Sequence, residues 1–179
     1  MDVHRLGIKF FAADPASIHL EDFILIFHSW IQKQAVPGHL LIDVHDYSHV
    51  HNGPGILLVA HEGNFSMDLG EDRPGLFYYR KTPAALPAAD QLALIVRSAL
   101  QACRLIEAEA SLRGSVRFRI DELLLIANDR LHAPNVEATL EELRPVLSAA
   151  IKEVLEKSGF TITRASTDPK DRLAIRATL

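Results

Sequence analysis

The chain switches repeatedly between two hydrophobic periods. In residues 5–12, Leu6, Ile8 and Phe10 alternate with Gly7, Lys9 and Phe11, the period of two expected of a strand. Asp14-Pro15 then gives a start signal. Phe23, Ile26, Phe27, Trp30 and Ile31 follow at i, i+3, i+4, i+7 and i+8, which predicts a helix ending before Pro37-Gly38. Its aromatic residues, at helical spacing, read as core. From His39 the period returns to two, with Leu40, Ile42 and Val44 on one side and His39, Leu41, Asp43 and His45 on the other. After Asn52-Gly53-Pro54-Gly55, residues 55–62 resume as a run apolar on both faces, the mark of a central strand. Residues 64–70 and 75–81 flank the turn-rich GEDRPG and predict a hairpin, so that three adjacent antiparallel strands are expected.

Pro83 and Pro87 mark the exit from that hairpin, and Ile95, Val96, Ala99, Leu100, Cys103 and Ile106 mark an amphipathic helix over residues 89–111. Val116, Phe118 and Ile120 alternate with charged residues until the phase reverses at Asp121-Glu122, which requires a bulge or a tight turn. The next helix is expected to be capped by Asn135, to bury a stripe from Leu140 to Leu155 and to stop at Gly159, with Pro145 kinking it or marking its first turn. A second hairpin surrounds TDPKD. This order predicts a single α+β domain over residues 1–179, a mainly antiparallel sheet with two to three long amphipathic helices packed on one face.

Composition narrows the function classes. With 179 residues and 48% hydrophobic content the chain can bury a real core. Its net charge of −4, with Lys and Arg scattered, gives no footprint for nucleic acid. The apolar run at residues 23–27 is flanked by Glu21, Asp22 and His28 and falls far short of the roughly 20 residues of a membrane span. Residues 1–11 lack the apolar segment of a signal peptide, and the single cysteine, Cys103, reads as a small core residue; both fit a cytoplasmic protein.

The candidate chemistry lies in residues 37–68, which hold five of the nine histidines. If residues 43–51 are extended, Asp43, His45, Tyr47, His49 and His51 share one face. With His61 or Glu62 from the neighbouring strand they could ligate Zn, Fe or Mn. The H-x-H pair with its glycine-rich turn and His-Glu is similar to the cupin metal motif, although the acid is not at the cupin spacing. His45-Asp46-Tyr47-Ser48-His49 is also similar to the zincin H-E-x-x-H, with Asp for Glu and with Gly53-Pro54-Gly55 leaving little room for the helix that motif uses. Two functional readings follow. The first is a binding or assembly protein that associates with itself as a homo-oligomer or with another protein, and whose histidine loop takes a metal ion or small ligand. The alternative is a metal-dependent hydrolase, with His45, His49, His51 and His61 as ligands and Asp46 or Glu62 as general base activating a metal-bound water.

Overall fold

The computed structural model describes residues 5–179. The reading of the leader rests partly on residues 1–4, which lie outside the described residues. In chain order the elements are β1 (Leu6–Ala12), α1 (Leu20–Lys33), β2 (Leu41–Tyr47), β3 (Gly55–Ala60), β4 (Gly63–Asp68), β5 (Gly75–Arg80), α2 (Ala88–Glu107), β6 (Phe118–Ala127), α3 (Glu137–Leu155), β7 (Thr161–Arg164) and β8 (Ala174–Thr178). The strands form one sheet in the order β2-β3-β4-β5-β1-β6-β8-β7, every pairing antiparallel. The fold is α+β, as the hydrophobic pattern predicts. Among the described residues no helix is long and apolar enough to cross a membrane.

All three helices cover one face. α1 lies on β2 and β3, α2 on β1 and β5, and α3 packs beside α2 and reaches β7. The alternation of the strands explains why: Ile8, Phe10, Ile56, Leu58, Phe65, Met67, Leu76 and Leu125 all point to this side and are buried with the helical stripes in one core. Trp30 and Cys103 belong to it, as expected, and Trp30 Nε1 donates to Glu109 Oε1 at 2.8 Å. At about 25 cal/mol per Å² of apolar surface, side chains of this size stabilise by roughly 1.5–3 kcal/mol each.

The ends of α1 show how local chemistry sets the frame. Glu21 and Asp22 in its first turn and Lys33 in its last complement the helix dipole. Gln34 ends it in the left-handed region, and its carboxamide donates to Leu41 O and accepts from Leu41 N, both at 3.0 Å, pinning the start of β2 to the helix end.

Four expectations are corrected. A bulge between Leu41 and Asp43 reverses the phase of β2, so Leu41 and Val44 point to the helices while Leu40 and Ile42, expected on the buried side, are exposed. Asn135 does not cap α3. The cap is Val136, and Asn135 is buried with its Nδ2 donating to Ser166 O and Asp168 O. α2 stops at Glu107, and residues 110–112 form a separate short turn. Residues 49 and 51 are not extended, because β2 ends at Tyr47. The phase reversal at Asp121-Glu122 is a bulge within one long strand: Phe10 pairs with Leu123 but Ala12 pairs with Phe118.

The helix-free face is not bare. Phe11, Leu124, Ile126 and Ala174 form a second buried cluster there, and Arg73 lies over the Phe11 ring at 3.7 Å. Glycine makes one close approach possible: a Cβ on Gly7 would collide with the Phe77 ring, so only glycine lets that ring come so near β1.

Candidate functional site

The expected histidine cluster is spread along β2 and β3. Asp43, His45 and Tyr47 do share the helix-free face, opposite Val59, Leu57 and Gly55, and His45 Nε2 lies 3.6 Å from Asp43 Oδ2. His49 and His51 are in the following turn, the His49 ring stacked on Tyr47 with centroids 6.4 Å apart. His61 follows the far end of β3, four residues beyond the partner of His45, or about 13 Å along the strand. Among the described residues no group of three or more His, Cys, Asp or Glu is arranged to hold a metal ion. Residues 45–49 form no helix, so His45 and His49 do not stand one helical turn apart.

The two carboxylates considered as bases tie down backbone instead. Asp46 Oδ1 accepts from Ser48 N at 2.8 Å, and the Ser48 donors hold its carboxyl below the usual range. Glu62 Oε2 accepts from Leu40 N at 2.8 Å. Burial opposes the Glu62 charge, but backbone donors, Leu40 N first, hold its carboxyl below the usual range.

His39, which the spacing argument did not select, is the most constrained imidazole of the region. Its Nδ1 lies 3.2 Å from the Pro37 carbonyl and its Nε2 lies 2.7 Å from Tyr78 Oη. A carbonyl only accepts, so Nδ1 carries the proton and the Tyr78 hydroxyl donates to Nε2. Burial lowers the His39 pKa and raises that of Tyr78, so both groups are held neutral.

From Tyr78 the polar path continues to Arg80, whose Nη1 is 3.5 Å from Tyr78 Oη. Arg80 opens into a cleft of about 510 Å³ at the end of the sheet, between β5, the first turns of α2 and the loop after β6. Leu6 and Ile95 give it an apolar floor, Arg5 and Lys81 stand on its rim, and Asp129 and His132 close the far side. Sheet register brings Arg5 there: Gly7 pairs with Tyr79, so two residues earlier the chain passes Lys81. Asn128 N donates to Arg5 O and fastens the end of β6 to the same corner. Asp129 Oδ2 accepts from His132 Nδ1 at 2.8 Å, which holds the Asp129 carboxyl below the usual range.

No family model, curated protein or solved structure matches this chain. What the cleft can do therefore follows from its own chemistry. Arg80 Nε is buried without a hydrogen-bond partner. Among the described residues no carboxylate comes within ion-pair distance of Arg5, Arg80 or Lys81. Leu131 sits at the mouth 83% exposed, an apolar residue that the fold does not use. In the sequence, Arg80-Lys81 is visible as a charged hairpin end and Asp129-x-x-His132 as a polar pair after a strand. Their convergence with Arg5 depends on pairing between distant strands.

Proposed function

We propose that this protein binds a small amphipathic anion in the cleft beside Arg80. One observation carries the reading: Arg80 is half-buried at an apolar floor, its Nε is unpaired, and among the described residues no carboxylate neutralises it. A guanidinium is costly to desolvate without a counter-charge, and a ligand carboxylate or phosphate supplies one in bidentate geometry. Arg5 and Lys81 add positive charge at the rim, while Leu6, Ile95 and Leu131 offer apolar surface to the ligand body. His132, oriented by Asp129, lines the same space. The volume lies within the usual range of roughly 300–1,000 Å³ for small-molecule sites.

Titration calorimetry with octanoate and with phenyl phosphate separates the two anion classes. Binding of at least one is expected, and Arg80→Gln should weaken it about 10- to 100-fold, the worth of a charge-assisted hydrogen bond. Binding that ignores both Arg80→Gln and Lys81→Gln, or absence of binding by either probe, removes the reading.

A further inference from the structure

A second concavity, of about 270 Å³, lies on the helix-free face and shares no lining residue with the Arg80 cleft. Its floor is β4, where Asn64, Ser66 and Asp68 alternate onto one side. The register surrounds this polar strip with apolar walls: Leu57 and Phe77 lie on either side of Ser66, and Val59 and Tyr79 on either side of Asn64. The Phe77 and Tyr79 rings stand side by side, centroids 6.4 Å apart at 33°, and form one continuous wall rather than a clamp. Pro54 closes one end, and Arg172, 3.4 Å from Asn128 Oδ1, stands at the other.

Two features bear on what this pocket can hold. Asn64 Oδ1 is buried with no hydrogen-bond partner, a state that costs free energy until a donor meets it. The Asp68 carboxylate is already neutralised, its Oδ1 lying 2.6 Å from the buried Lys9 Nζ, so the polar strip offers acceptors without a net negative charge.

We infer that this pocket binds a neutral pyranose. A sugar ring presents an apolar C–H face to a single aromatic wall and hydroxyl donors and acceptors along its edge, matching Phe77 and Tyr79 on one side and Asn64 and Asp68 on the other. A charged amine would find its counter-charge taken by Lys9. A nucleobase is better served by rings facing one another. The volume suits one sugar unit, which would be sandwiched between the β2–β3 turn and Arg172.

The test is saturation-transfer NMR on the full chain with methyl glucoside, methyl galactoside and methyl mannoside, and with adenosine as a competitor of different class. Transfer to the ring C–H protons of at least one glycoside is expected. Asn64→Leu and Tyr79→Ala should each weaken it at least about tenfold, while Arg80→Gln, in the other cleft, leaves it unchanged. Should Asn64→Leu fail to fold, Tyr79→Leu tests the same pocket through its half-buried aromatic wall. No transfer to any glycoside at millimolar concentration, transfer that survives both pocket substitutions, or binding of adenosine alone overturns the assignment.

Discussion

Lys9 Nζ lies 2.6 Å from Asp68 Oδ1, joining the middle of β1 to the end of β4 across a stretch where Lys9 is wholly buried. The same ammonium donates to Gly70 O at 2.7 Å, and Asp68 Oδ1 also accepts from Gly70 N. Lys9 thereby fixes the tight turn at Gly70–Asp72, where Glu71 and Asp72 both have positive φ. Burial pushes the Lys9 pKa down and Asp68 opposes it. Removing one partner of such a pair leaves the other charge uncompensated.

Lys9→Met should therefore destabilise the fold by roughly 3–5 kcal/mol in urea denaturation, and adding Asp68→Asn should restore part of that loss. Strictly additive effects of the two substitutions would show that the pair is not coupled.

The neutral His39 makes stability depend on pH. Its folded pKa lies below the ordinary 6.5, so the unfolded chain binds more protons than the native state between the two values. Stability is full above about 6.5 and declines as pH falls through the lowered folded value. Melting temperatures recorded from neutral to mildly acidic pH should show this slope, and His39→Gln should flatten it. Tyr78→Phe, which leaves Nε2 without its donor, should cost about 1–3 kcal/mol.

Glu122 governs a lower pH window. Its carboxylate takes Arg73 Nη1 at 2.7 Å and Nη2 at 3.0 Å, with Arg119 at 3.3 Å and Arg176 at 3.8 Å. The Arg73 hydrogen bonds chiefly hold its pKa below the ordinary 4.5, so the stability it contributes is present above 4.5 and lost as pH falls through the lowered value. Glu122→Gln should cost roughly 2–4 kcal/mol at neutral pH. The gap between variant and parent should close in strong acid, and a gap independent of pH would contradict the account.

Asp43 guards the free edge of β2. Its Oδ1 accepts from Val44 N at 2.8 Å, occupying a backbone donor on a strand that among the described residues pairs only with β3, and the bulge at Ile42 further irregularises that edge. Asp43→Val should release the donor beside exposed Leu40 and Ile42 and promote edge-to-edge association. Sedimentation velocity would then show a concentration-dependent larger species that the parent chain lacks at equal concentration; identical profiles would refute the guarding role.

Much of the architecture was legible because its causes are local. The i, i+3, i+4 stripe of α1 and the alternation of Leu6, Ile8 and Phe10 report which side of each element joins the main core, whatever the rest of the chain does. The reversal at Asp121-Glu122 was legible for the same reason. Leu40 and Ile42 misled because a bulge moves a strand's phase without leaving a mark in composition. Ser66, which alternation alone would place at a strand surface, is buried by its neighbours Leu57 and Phe77.

Local pattern alone was enough for the kinds and order of the elements and for the richness of residues 37–68 in histidine. Which of those side chains meet is a matter of the folded chain. Period and spacing act over a few residues, whereas Lys9 reaches Asp68 across 59 positions and His39 reaches Tyr78 across 39. Arg5, Arg80 and His132 share one cleft through the pairing of β5 with β1 and of β1 with β6. Strand order and register fix such convergence, and they are set by the packing of the whole sheet against its helices, which no local pattern encodes.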